Sequence, residues 1–162
     1  MATQTAPNTI RDRLLKGIAL QQAGEFEKAQ RIYKQAVKKA PNNADAVHLL
    51  GVTYRQLGYP KRALEYIQKA IEIDPNQAPF YANLARTMMD LGADADSLLA
   101  VCNKALTINP KEREARNIAG IALTDKKEFE QAEYIFQSLL VEDPDNEDAY
   151  RNFGNLLLAA DR

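Results

Sequence analysis

Prolines recur along this chain at an almost constant interval, and that interval limits the folds that the sequence can adopt. Five of the seven prolines lie 34 or 35 residues apart, at Pro7, Pro41, Pro75, Pro110 and Pro144. A fixed period of this length is typical of repeat proteins, in which one small supersecondary unit packs against the next. The spacing therefore predicts an array of similar units rather than a fold with a single closed core.

Each unit reads as two helices joined by a short turn. In residues 44–75 two apolar patterns follow one another, and both have the three- and four-residue spacing of a helix face. Gly58 ends the first pattern, and Pro60 suits the first turn of the second helix. Neither helix buries its apolar stripe alone, so the pair needs neighbours of its own kind. The stripes are Val47, Leu50, Gly51, Tyr54 and Leu57, then Ala63, Leu64, Ile67, Ala70 and Ile71.

The unit resembles the tetratricopeptide repeat. That family's signature, W-x2-L-G-x2-Y, then A-x3-F, then P, is represented here by Val47-x2-Leu50-Gly51-x2-Tyr54, Ala63-x3-Ile67 and Pro75. The Leu-Gly pair recurs as Leu84-Ala85, Ala119-Gly120 and Phe153-Gly154. The resemblance covers about residues 10–162. It implies an all-α fold, an α-solenoid in which antiparallel helix pairs form a right-handed superhelix.

The period also predicts the domain organisation. Residues 1–9 are a polar, flexible lead, and residues 10–162 form a single domain of repeats. Repeat three carries one extra residue, which we place in the turn after Gly92, where a longer loop costs little. The final segment is either a capping helix or half of a fifth repeat. The predicted repeats span about 10–43, 44–77, 78–112 and 113–146, followed by the helix 147–162.

Composition excludes several classes of protein. The net charge of −1 argues against a generally basic nucleic-acid binder. No apolar run approaches the ~18 residues that a membrane span needs, and the N-terminus lacks a signal-peptide pattern. We therefore expect a cytoplasmic location. The single cysteine, Cys102, is expected to be a small buried apolar residue.

The chemistry-bearing residues are too few and too scattered for an enzyme. One histidine (His48), one cysteine and two serines (Ser97 and Ser138) supply neither a catalytic triad nor a zinc ligand set. The glycines fall at helix contacts and turns rather than in a phosphate-binding loop. The sequence predicts a non-catalytic protein without catalytic residues, cofactor or metal.

The resemblance implies that the first helices of the repeats line a concave groove that binds a protein or peptide. Asparagine amides in such a groove can pair with an extended peptide backbone, and Arg86 could hold a carboxylate. The predicted groove residues are Arg11, Leu14, Ile18, Asp45, His48, Val52, Arg55, Asn83, Arg86, Met89, Asn117, Ile121, Arg151, Asn152 and Asn155.

Two groups within the family serve for comparison. Members that bind the acidic C-terminal tails of heat-shock chaperones carry a clamp of Lys, Asn and Arg side chains. This sequence lacks that clamp, so the resemblance argues against such a partner. The corresponding positions hold Leu14, Ile18, Leu49, Pro79 and Asn83. The first helices are closer to the repeat arms of glycosyltransferases and sulfotransferases, which they match at His48-Leu49-Leu50-Gly51 and Tyr81-Ala82-Asn83-Leu84.

Three functional hypotheses follow. The first is a scaffold or adaptor whose groove binds a segment of a partner. The second is the N-terminal repeat region of a larger bacterial protein, which recruits substrates for a glycosyl-, sulfo- or methyltransferase. The third is a self-associating scaffold that uses the apolar C-terminal helix or a head-to-tail charge gradient. Residues 1–40 hold eight basic and three acidic side chains, whereas residues 111–162 hold seven basic and twelve acidic ones.

Overall fold

The computed structural model describes residues 9–161, and within this range every regular element is an α-helix. The helices alternate with short turns and follow the period of the sequence. The predicted flexible lead lies outside the described residues, except for Thr9. The helices are α1 (Ile10–Gln22), α2 (Phe26–Lys39), α3 (Ala44–Gln56), α4 (Pro60–Ile73), α5 (Ala78–Asp90), α6 (Ala95–Ile108), α7 (Arg113–Asp125), α8 (Phe129–Glu142) and α9 (Glu147–Ala159).

Polar side chains begin several of these helices. Thr9 accepts a hydrogen bond from the backbone N–H of Asp12, and the Asp12 carboxylate in turn accepts from the backbone N–H of Thr9. This reciprocal capping box satisfies two N–H groups that the helix itself leaves unpaired. Asn43, Asp94 and Asn146 cap α3, α6 and α9 in the simpler way, through one side-chain oxygen.

The chain divides into two compact units, one that ends at Pro75 and one that begins at Asn76. In the first unit α1 packs on α2, α2 on α3, and α3 on α4. Its core consists of small residues of one helix against bulky residues of another. Tyr33 and Ile67 are fully buried at these contacts, where they lie against Gly17 and Gly51.

The second unit contains α5 to α9, and its core has two connected parts. One is built on Ala85, Cys102 and Ile118 from α5, α6 and α7. The other is built on Phe136 of α8 and Leu156 of α9. Four residues separate α5 from α6, whereas three separate the two helices of every other pair, so the extra residue of repeat three lies in this turn. Helix α7 also packs against both α5 and α9.

The predicted fold class, an all-α solenoid of antiparallel helix pairs, is confirmed by this helix order and by the solved structures compared below. None of the described helices is long and apolar enough to cross a membrane. Cys102 is fully buried, as the sequence predicts, and burial raises the pKa of its thiol to about 12.

Glycine at the centre of a first helix allows a close helix contact, which predicts opposite effects of one substitution at two sites. A Cβ on Gly120 would lie 2.7 Å from Cζ of Phe136, whereas a Cβ on Gly154 would meet no described atom within 4 Å. We expect Gly120→Ala to lower the free energy of unfolding by about 1–3 kcal/mol through overpacking. Gly154→Ala should raise it by about 0.5–1 kcal/mol, because alanine is the better helix former. Urea unfolding of both variants checks the prediction, and equal effects would contradict it.

The turn after α7 holds a lysine where the turns after α1, α3 and α5 hold glycine. Lys127 has a φ of 63°, a left-handed conformation that costs an L-residue about 1–2 kcal/mol. We expect Lys127→Gly to raise the free energy of unfolding by about 0.5–1 kcal/mol in urea melts. The reverse change, Gly58→Lys at a φ of 80°, is the matched control and should lower it. Stabilisation by both variants, or by neither, would refute this explanation.

Candidate functional site

The first helices of the second unit come together on one face, and an amide pair joins two of them. Asn152 of α9 donates a hydrogen bond from Nδ2 to Oδ1 of Asn117 on α7, at 2.9 Å. Asn117 is only 7% exposed, so this bond fixes its amide. The bond leaves Nδ2 of Asn117 as a donor and Oδ1 of Asn152 as an acceptor. These are the two groups that one residue of an extended peptide can satisfy.

Beside this amide pair lies an open cleft of about 480 Å³. The start of α7 forms one wall, and the α8–α9 turn with the first turn of α9 forms the other. The cleft is strongly acidic, with five carboxylates and a single cation in its lining. The lining residues are Glu112, Arg113, Glu114, Asn117, Asp143, Asn146, Glu147 and Asp148.

Arginines neutralise some of these carboxylates. Arg113 pairs with Asp143, and Arg151 pairs with Asp148. Glu112 and Glu147 form no ion pair within residues 9–161, so the cleft keeps a net negative charge.

Arg86 is held inside the protein's own charge network. Its Nε donates to Oε1 of Glu114 at 2.5 Å, which links α5 to α7. Burial lowers the pKa of the guanidinium, but the hydrogen bond and the charge of Glu114 outweigh burial and raise the pKa overall. The sequence predicts that Arg86 could hold a carboxylate of a partner. Such a carboxylate would have to compete with Glu114 for the guanidinium.

A second, smaller hollow of about 130 Å³ continues the face towards the other ends of α7 and α9. It is lined by Ile121, Thr124, Asp125, Asn152 and Asn155. Asn152 therefore faces the hollow while it bonds to Asn117 beside the acidic cleft. The acidic cleft, the amide pair and this hollow together form a continuous face on α7 and α9, which suits a linear segment laid across the two helices.

The first unit carries the predicted groove residues of α1 and α3, and one of them is too buried for a contact residue. His48 is only 8% exposed, and burial lowers its pKa to about 4. It is therefore a neutral buried side chain of α3 at pH 7. Nδ2 of Asn83, in the second unit, donates a hydrogen bond to the backbone carbonyl of Pro79 in its own helix.

The predicted set as a whole falls into three classes of exposure. The structure brings together the members on α7 and α9, which lie around the Asn117–Asn152 bond, the acidic cleft and the smaller hollow. His48 and Asn117 are buried. Arg11, Asp45, Arg151 and Asn155 are exposed, and Leu14, Ile18, Val52, Arg55, Asn83, Arg86, Met89, Ile121 and Asn152 are half-buried.

Three residues of this face, Glu112, Asp143 and Glu147, are not in the groove set that the sequence predicts. The available signal was the run of acidic residues and asparagine from Glu142 to Asp148. Such runs commonly provide negative charge at a helix N-terminus, as Glu147 and Asp148 do at α9, where Asn146 is the cap. Within residues 9–161 no group of three or more His, Cys, Asp or Glu side chains is arranged to hold a metal ion.

Comparison with known proteins agrees with the helix pairs. Residues 14–78 match the family described as tetratricopeptide repeat. A search of the curated proteins gives no match. Among solved structures, TTC0263, a thermophilic TPR protein of Thermus thermophilus, is 21% identical, with a TM-score of 0.80 over 94% of this chain and 83% of that one.

Two further solved structures have the same fold. YrrB, described as a TPR protein with an unusual peptide-binding site, is 21% identical, with a TM-score of 0.69 over 94% of this chain and 78% of its own. The O-GlcNAc transferase of Thermobaculum terrenum, solved as a mutant, is 22% identical, with a TM-score of 0.74. That match covers 88% of this chain but 27% of the transferase. At these identities the likeness concerns the fold. Together with the family match over residues 14–78, it shows that the chain has the fold of tetratricopeptide repeat proteins.

Proposed function

We propose that this chain is a non-catalytic protein-interaction module whose first-helix face on α7 and α9 binds an extended, basic segment of a partner protein. The observation that carries the proposal is the Asn117–Asn152 amide pair beside the acidic cleft. A groove that is already formed loses little conformational entropy on binding, which favours a peptide as the ligand. YrrB supports the class of ligand, since it is described as having a peptide-binding site.

The amide pair supplies the contacts that do not depend on peptide sequence. Nδ2 of Asn117 and Oδ1 of Asn152 can bond the C=O and N–H of one peptide residue. The bond to Asn152 fixes the amide of Asn117, so a bound peptide backbone would meet groups that are already oriented. We therefore expect both amides to contribute to the affinity for every ligand of this face.

The carboxylates supply selectivity. Glu112 and Glu147, which have no ion-pair partner among the described residues, flank the cleft and attract a lysine or arginine side chain. Contacts of this kind at a rim act mainly on the association rate, and salt weakens them. The proposed ligand therefore carries a basic residue next to the residue that contacts the amides.

A random dodecapeptide phage library panned on the purified chain tests the proposal and requires no candidate partner. We expect the selected peptides to be enriched in lysine and arginine. The best peptide, measured by fluorescence anisotropy, should bind the Asn117→Ala/Asn152→Ala double variant about tenfold more weakly or worse. The Glu112→Gln/Glu147→Gln variant should bind more weakly at low salt and approach the wild type at high salt.

Two variants outside this face are the matched controls. Asn103→Ala on α6 and Glu130→Gln on α8 remove the same kinds of group from exposed positions of second helices. Both should keep the wild-type affinity. Peptides without a basic preference, or equal binding to the wild type and the amide double variant, would refute the assignment of this face.

A second candidate function is the repeat arm of a larger enzyme, which would recruit substrates for its catalytic part. The observation that favours it is the match to the Thermobaculum terrenum O-GlcNAc transferase, of which 27% is covered. An immunoblot of source cells with an antibody against this chain separates the candidates. A product much longer than 162 residues supports the arm, and a product of 162 residues contradicts it. Self-association and a cytoplasmic location stay predictions.

A further inference from the structure

The first unit carries a basic cleft between α1 and the last turn of α2. The cleft is open to solvent and has a volume of about 490 Å³. Its lining consists of Arg13 from α1 and of Gln35, Lys38 and Lys39 from α2, so it holds three cations and no carboxylate. None of the three cations forms an ion pair with a described residue.

The acidic residues that are nearest in the sequence are engaged or distant. Positions 1–40 contain three of them. Asp12 bonds within the cap of α1, and Glu25 pairs with Lys28. Glu27 lies in the first turn of α2, whereas the cleft lies at the last turn of that helix. The cleft therefore keeps its positive charge.

Repeat four shows what the same corner of a helix pair holds when it is neutral. Arg116 of α7 takes the place of Arg13, and its Nη1 donates to both carboxylate oxygens of Glu142 on α8, each at 2.8 Å. Its Nη2 donates to Oγ of Ser138 at 2.6 Å. The side chain of Arg116 is only 12% exposed in this arrangement. An arginine at this place therefore binds a carboxylate that reaches it from the end of the second helix.

In repeat one that carboxylate is missing. Lys39 holds the position of Glu142, and Gln35 holds that of Ser138. Nη1 of Arg13 donates to Oε1 of Gln35 at 3.3 Å, which is the counterpart of the bond to Ser138. Nε of Arg13 is buried and has no hydrogen-bond partner in the described part of the chain. The dipole of α2 favours lysines in its last turn, but it does not satisfy a guanidinium beside them.

We propose that the cleft between α1 and α2 binds an acidic segment of a partner protein, with one carboxylate paired to Arg13 as Glu142 is paired to Arg116. A second carboxylate of the segment would pair with Lys38 or Lys39, because one carboxylate leaves two of the three cations without a counter-charge. An open cleft does not enclose a small ligand, which favours a segment of chain over a free metabolite. A carboxylate is also the anion that the equivalent corner of repeat four holds.

A fluorescein-labelled hexaglutamate peptide is the probe, titrated with the intact chain at about 0.15 M salt, where distant charges are screened. We expect saturable binding, which Arg13→Gln weakens by about tenfold or more. Lys39→Glu places a carboxylate beside Arg13, as in repeat four, and should weaken binding at least as much. Lys39→Gln removes one charge without supplying a competitor, so it should weaken binding only severalfold.

Matched controls keep the test specific. Arg31→Gln makes the same change as Arg13→Gln at an exposed position of α2 outside the cleft, and Lys61→Glu reverses a charge on α4. Both should stay within about twofold of the wild-type affinity. The Asn117→Ala/Asn152→Ala variant should also bind normally, which separates this cleft from the peptide face of α7 and α9.

Circular dichroism melts establish that the variants fold, and Lys39→Gln, at an exposed position, serves if Arg13→Gln or Lys39→Glu does not. Failure of the wild type to bind hexaglutamate would overturn the proposal. Equal binding by the wild type and the cleft variants would also overturn it.

Two further measurements test the identity of the occupant. Inorganic tripolyphosphate that displaces the labelled peptide at a lower concentration than unlabelled hexaglutamate would assign the cleft to a phosphate-bearing ligand and contradict the acidic segment. In sedimentation equilibrium of the chain alone, a concentration-dependent dimer that Lys39→Glu abolishes would assign the cleft to a second copy and contradict a separate partner. The expected result is a monomer that binds hexaglutamate through Arg13 and Lys39 and prefers it to tripolyphosphate.

Discussion

Replacing Phe136 by alanine is expected to lower the free energy of unfolding by about 3–5 kcal/mol. The side chain is fully buried, lies in the core part that joins α8 to α9, and closes over Gly120. Its removal loses the transfer free energy of the ring and leaves a cavity against a glycine. Gly120, which the ring of Phe136 contacts on α7, has no side chain that could fill that cavity. Urea unfolding followed by circular dichroism measures the loss.

The same helix provides the control for this prediction. Tyr134 lies two residues before Phe136 but is 74% exposed. Tyr134→Ala should change the free energy of unfolding by about 0.5 kcal/mol or less. Comparable losses for the two variants would show that helix α8 is not packed through Phe136, and the described repeat packing would then be wrong.

Acid should destabilise this protein through its single histidine. Burial holds the pKa of His48 at about 4, below its ordinary value of 6.5. The unfolded chain therefore takes up a proton near pH 6.5, whereas the folded chain does so only near pH 4. The stabilising contribution of neutral His48 is complete above about pH 6.5 and is lost as the pH falls towards 4. Its full size is about 3 kcal/mol, from 1.36 kcal/mol for each unit of pKa.

Two measurements check the effect of His48. The imidazole resonance is unambiguous in proton NMR, because the chain has one histidine, and it should titrate near pH 4. Urea melts of the wild type and of His48→Gln, at pH 7, 5.5 and 4, separate the histidine from the carboxylates, which titrate in both proteins. The wild type should lose about 3 kcal/mol more than the variant. A histidine that titrates at 6.5, with parallel stability profiles, would contradict its burial.

The helix pairs could be predicted from the sequence because they depend on local signals. The prolines mark the repeat ends, Gly58 and Gly92 end first helices, and the Leu-Gly pairs mark the close contacts. The extra residue of repeat three could be placed because the period on both sides of it is regular. These signals lie within one repeat or between adjacent repeats, so the chain order is enough to interpret them.

The candidate site could be predicted only in part, because its hydrogen bonds join residues that lie far apart in the sequence. Helix periodicity predicts that Asn117 and Asn152 lie on the groove side of their helices. It does not predict the bond between them, which joins residues 35 positions apart in the sequence. The pairing of Arg86 with Glu114 depends on side-chain reach and on the packing of α5 against α7. The burial of His48 likewise depends on what packs around α3, which the pattern of one helix does not specify.

The most direct test of the proposed peptide face is an NMR map of where a selected basic peptide binds. The uniformly ¹⁵N-labelled chain is titrated with the best peptide from the phage selection, and the backbone amide shifts are followed. We predict that the largest shifts fall on α7 and α9, around Asn117, Asn152 and the start of α9. If the largest shifts instead fell on α6 and α8, and those of α7 and α9 did not change, the proposed face would be wrong. Binding would then be assigned to the second helices of the second unit.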